Sequence, residues 1–140
     1  MKKSRLFLPT IADLVDSLSI DQIKMIKIRK HRNSYLREIE RICHDIDLII
    51  ASKRNNKMNA RLMRIIMTIA LINLFIWNYK DEMQKNNEKY GHLLKLAHQL
   101  NGIRNQMKNL LLVEFGDAEP SLKRTNTDTE DLKDWDFKIL

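Results

Sequence analysis

The sequence predicts an all-α fold: an antiparallel helical bundle with one long coiled-coil-like helix and a flexible C-terminal tail. Three observations carry that expectation. Only three glycines and two prolines occur among 140 residues, which leaves almost none of the turn chemistry that a sheet of short strands needs. Apolar residues recur in steps of three and four through most of the chain, the spacing of one helical face. The 33 residues from Ile20 to Ser52 contain neither glycine nor proline. A chain of this length holds one domain with a real core, so residues 1–116 read as a helical bundle domain and 117–140 as an acidic linker with an aromatic tail.

Thr10 follows Pro9 and precedes Asp13 by three, so its hydroxyl can cap a first helix whose positive end the carboxylate meets. Ile11, Leu14, Val15 and Leu18 form one face of that helix, and Ser19 with Gln22 makes a second capping box that restarts the chain near Ile20. The second helix then runs to about Ser52, a rod of about 50 Å. Met25, Ile28, Arg32, Tyr35, Ile39, Ile42, Ile46 and Ile49 make its seam, flanked by Leu36, Cys43 and Ile50. Such a rod needs another long helix beside it, which points to a homo-oligomer. Arg32 is a charge in the seam, where it snorkels out, pairs with a carboxylate or meets a ligand.

Ser52 to Asn59 breaks the pattern as a loop carrying Lys53, Arg54 and Lys57. A third helix is expected from Asn59 to Tyr90, its first half apolar all round and covered on every side. Gly91 marks a turn, and His92 to Phe115 forms the last helix, with Leu96, Leu100, Ile103, Met107, Leu110 and Leu111 inward. The linker after Gly116 leads to Leu132, Trp135, Phe137, Ile139 and Leu140, an anchor expected to dock on its own domain or on a neighbouring subunit.

The 25 basic and 18 acidic residues divide unevenly, since residues 117–140 hold four of the former and seven of the latter. Residues 1–116 therefore carry 21 against 11, or +10. That balance favours an anionic partner. Non-specific nucleic-acid binding is compatible with Lys53, Arg54, Lys57, Arg61 and Arg64, although no reading motif is visible. The most apolar run, Ile65 to Trp77, spans 13 residues where a bilayer takes roughly 20, so no membrane span is expected. Leu6, Phe7 and Leu8 before Pro9 are too few for a signal sequence, and the single Cys43 suits a reduced compartment, so the expected location is cytoplasmic. Ile, Lys and Asn supply 44 residues, a bias typical of AT-rich genomes such as those of low-GC bacteria or phages.

The stretch HQLNGIRNQMKN puts His98, Asn101, Gly102, Asn105 and Asn109 within roughly 100 degrees of one another on the last helix, with Arg104 and Lys108 alongside. Asparagine weakens a helix because its amide competes for backbone hydrogen bonds. Three on one face serve either composition or a ligand, to which amides offer donors and acceptors and Arg104 or Lys108 a counter-charge. Asn73 lies inside the most apolar run, where a buried amide needs a partner. Trp77 shares its face, as in sites that stack a ring and bond its edge. The candidate ligand site is therefore Asn73, Trp77, His98, Asn101, Arg104, Asn105, Lys108 and Asn109. A second constellation, Glu40, His44 and Asp47 with adjoining Asp45, has helical spacing for a divalent metal, with His31 and Asp81 as further ligands, and equally for an ordinary charge ladder.

TIADLVDSLSI, INLFIWNYKDEM and HQLNGIRNQMKN together resemble an uncharacterised family of small helical proteins, a domain of unknown function met among bacterial surface-sugar genes and in phages. The resemblance covers residues 9–112 and brings no catalytic residue. It implies that Asn73, Trp77, His98, Asn101, Arg104, Asn105 and Asn109 recur for a reason.

These observations order three functions. The first is non-catalytic binding or sequestration of a small anionic ligand, such as a nucleotide, cyclic nucleotide or sugar phosphate, without a cofactor. A phage sponge for a host signalling nucleotide is its specific form. The second is a structural or adaptor protein acting through the basic face and tail, and the third a metal-dependent phosphohydrolase.

Overall fold

Thr10 opens the structure as a reciprocal cap: its side chain accepts from the Asp13 N–H at 3.2 Å, and its own N–H donates to Asp13 Oδ2 at 3.2 Å. The computed structural model describes residues 8–52 and 58–116, and the helices found there are α1 (Ile11–Lys27), α2 (Arg32–Ala51), α3 (Ala60–Lys85) and α4 (Tyr90–Phe115). No strand occurs among the described residues, and the all-α expectation holds. The loop cations Lys53, Arg54 and Lys57 and the C-terminal tail lie outside the described residues.

The expected rod does not form. α1 runs through Ser19, whose Oγ donates to Asp16 O at 2.8 Å as a helix-interior back-bond and caps nothing. The chain breaks instead at Ile28, whose backbone (φ −115°, ψ 85°) leaves the helical region, and a short 3₁₀ turn, Arg29–His31, reverses it into α2. Lys24 and Lys27 suit the negative end of α1. Arg32 reaches back to Met25 O, so this exposed seam cation satisfies a terminal carbonyl of α1. The partner helix that the seam requires is α1 itself.

α3 and α4 make a second antiparallel hairpin. Asn59 caps α3 through Oδ1, which accepts from the Leu62 N–H at 2.9 Å. The turn falls at Asn86, not at Gly91: Asn86 Oδ1 accepts from the Glu88 N–H, and a 3₁₀ turn, Asn87–Lys89, leads into α4. Arg61 Nε donates to Glu114 Oε1 at 2.8 Å and joins the start of α3 to the end of α4. Gly116 then adopts φ 71° and its N–H closes on Leu112 O, a left-handed stop that glycine takes without strain.

The core sits between the hairpins. Leu62, Ile65, Ile69 and Ile72 of α3 pack with Leu100, Ile103, Met107 and Leu111 of α4 and with Ile11, Ala12 and Val15 of α1. Each such aliphatic side chain contributes roughly 1.5–3 kcal/mol by its burial. α2 lies along α1 and comes within 8 Å, Cα to Cα, of neither α3 nor α4. Ile42 is its one buried residue. The outer face of α3 is bare, contrary to the expectation of a helix covered all round. Met63, Met67, Leu71 and Phe75, four residues apart, are 40–58% exposed. α3 has an 18-residue window of mean hydropathy 1.7, so by length and composition alone it could cross a membrane. Here its inner face supplies the core.

Candidate functional site

Asn73 stands at the crossing of three helices and is 4% exposed. Its Nδ2 donates to Asp16 Oδ1 at 2.7 Å and to Ser19 Oγ at 2.6 Å, both on α1. Its Oδ1 accepts from Arg104 Nη1 at 2.6 Å on α4. Arg104 Nη2 in turn donates to Asn101 Oδ1. One turn on, Lys108 Nζ bridges Asp13 Oδ1 at 3.0 Å and Asp16 Oδ2 at 3.3 Å. The i, i+3, i+6 spacing of Asp13, Asp16 and Ser19 presents all three from one face of α1.

Two carboxylates thus meet two cations in a largely buried network. Burial disfavours the charged form of Asp13, but the bonds from Lys108 and Thr10 outweigh it and hold its pKa below the ordinary value. Burial likewise works against the charge on Lys108, and its bonds to Asp13 and Asp16 raise its pKa nonetheless. For Lys108 the anionic group that the sequence leaves to a ligand is supplied by α1, while Arg104 is taken up by the amide oxygens of Asn73 and Asn101. One donor is left over: Arg104 Nε is buried without a partner.

The predicted ligand residues therefore divide. Asn73, Asn101, Arg104 and Lys108 are brought together, and they bond one another and α1. Trp77, Asn105 and Asn109 are half-buried at the flanks, and His98 is exposed. The metal constellation is not assembled: Glu40 and Asp47 are exposed on α2, and His44 Nδ1 lies 3.2 Å from Asp45 Oδ1. Among the described residues no three His, Cys, Asp or Glu side chains gather as metal ligands. The residues that sequence reasoning missed are Asp16 and Ser19. Their i, i+3, i+6 spacing from Asp13 is the signal, masked by the capping role of Asp13 and by the capping-box pattern that Ser19 makes with Gln22.

A second site is open where the first is closed. The turn between α1 and α2 forms a cleft of about 400 Å³ lined by Arg29, Lys30, His31, Arg32, Ser34 and Arg37, with no carboxylate in its lining. It lies at the N-terminus of α2, where His31 makes no side-chain cap and the first turn holds no acid. Cations at the positive end of a helix are locally unfavourable, by about 0.3–1 kcal/mol each. Among the described residues Arg29, Lys30 and Arg37 have no ion pair. Ile28 hides this turn in the sequence, because it fits the seam spacing and carries the helical pattern straight through the break.

No family model, curated protein or solved structure matches the chain. Three sequence segments build the closed network: TIADLVDSLSI holds Asp13, Asp16 and Ser19, INLFIWNYKDEM holds Asn73, and HQLNGIRNQMKN holds Asn101, Arg104 and Lys108. Holding three helices in register is a sufficient physical reason for such residues.

Proposed function

We propose that the protein is a non-catalytic binder of a small, multiply charged anion, seated in the cleft at the α1–α2 turn. The observation that carries this reading is the concentration of unmatched cations: Arg29, Lys30 and Arg37 line one concavity and have no carboxylate there. Guanidinium groups offer paired donors that fit phosphate and carboxylate oxygens, and the amide groups at the start of α2 add to the same field. The volume lies in the range of small-molecule sites. A phosphate-bearing ligand such as a nucleotide or sugar phosphate offsets the mutual repulsion that the turn otherwise bears.

Calorimetric titration with nucleoside di- and triphosphates, cyclic dinucleotides and sugar phosphates tests it. Binding should weaken as salt rises, and should fall at least about tenfold in an Arg29→Gln/Arg37→Gln protein. Failure of every anion to bind at low salt overturns it. A second reading, an adaptor that holds a protein partner, draws on a different observation, the bare apolar face of α3.

A further inference from the structure

That bare face continues into a groove between α1 and α3 of about 310 Å³, walled by Ile23, Ile26, Lys27, Ala70, Leu71 and Leu74, whose accessible lining is apolar. Ile26 at its edge is 65% exposed. We propose that the groove and the adjoining α3 face receive the chain's own C-terminal segment, Leu132 to Leu140.

Two features select this occupant. The first is composition: Leu132, Trp135, Phe137, Ile139 and Leu140 put five large apolar side chains into nine residues, a match to an apolar groove edged by Met67, Leu71 and Phe75. The second is reach. The Arg61–Glu114 bridge sets the end of α4 beside the start of α3, and the groove residues Ala70 to Leu74 lie about 15–21 Å farther along that helix. Residues 117–131 connect the two, and a polar chain of that length spans about 20 Å as a relaxed coil and about 50 Å fully extended. A connection whose relaxed length matches the gap gives an effective concentration on the order of millimolar, which favours docking on the same chain.

The chain has two tryptophans, so full-length protein carrying Trp77→Phe reports on Trp135 alone. Its emission should be shifted to the blue, and acrylamide should quench it several-fold less than a peptide of residues 128–140. Both signatures should be lost in Ile26→Glu and in Leu71→Glu, positions exposed enough for the fold to persist, as circular dichroism will verify. Three results overturn the proposal. They are peptide-like quenching of Trp135 in the parent, protection that survives both groove substitutions, and protection that disappears on dilution, which assigns the contact to a second copy.

Discussion

The α4 stripe and the α1–α2 turn are both rich in cations, and they have opposite fates. Lys108 pairs with Asp13 and Asp16 of α1, and Arg104 is held by the amide oxygens of Asn73 and Asn101. Arg29, Lys30 and Arg37 sit where the chain reverses, and no acid lines their cleft. The difference teaches that a cation becomes available to a ligand through what its neighbours lack. A sequence shows where cations are and not which of them the fold will neutralise.

The strongest way to break the comparison is to open the closed side. Asn73→Leu keeps the volume but strands Asp16, Ser19 and Arg104, and should cost about 3 kcal/mol in urea unfolding. A loss under about 1 kcal/mol would mean that the network holds little. Lys108→Met should cost about 2 kcal/mol at neutral pH. Because the folded-state pKa of Asp13 is depressed, the stability it carries is present above the unfolded value near 3.8 and lost as pH falls through the folded one. Lys108, with its pKa raised, keeps its contribution below 10.5 and loses it as pH climbs through the folded value. Wild type and Lys108→Met should therefore converge in acid, which unfolding midpoints across pH will show.

The open side should behave in the reverse sense. Removing Arg29 and Arg37 should leave stability unchanged or raise it by about 0.5 kcal/mol while anion binding falls. A loss above about 1 kcal/mol would make these cations structural. The smallest effect is expected at Asp21, which is 3% exposed. Burial, and then the nearby Glu38, raise its pKa. A raised carboxyl makes the fold more stable as pH drops from the folded value toward 3.8. Asp21→Asn should accordingly gain less than about 1 kcal/mol at neutral pH and flatten that slope.

What the sequence shows of this molecule is what local chemistry decides. Thr10 is legible as a cap because a cap depends on a few neighbouring residues, and the start of α3 at Asn59 and the end of α4 at Phe115 are legible as breaks in pattern. Asn73 is legible as a buried amide in need of a partner, and Arg104 as a cation near it. The reversal at Ile28 is not legible, since a β-branched residue at seam spacing looks the same in a continuous helix and at its end. Asp16 is not either, because its partners Asn73 and Lys108 are 57 and 92 residues away in the chain.

The network around Asn73 also bears on time. Each hairpin is built from contacts between sequence neighbours, which form fast. The bonds from Asn73 to Asp16 and Ser19, and from Lys108 to Asp13 and Asp16, exist only once one hairpin has docked on the other and the core between them has closed. Interactions made that late leave the folding rate nearly untouched and act on the rate of escape. The buried amide is in this sense a latch: it sets how long the two hairpins stay together, and hardly how quickly they meet.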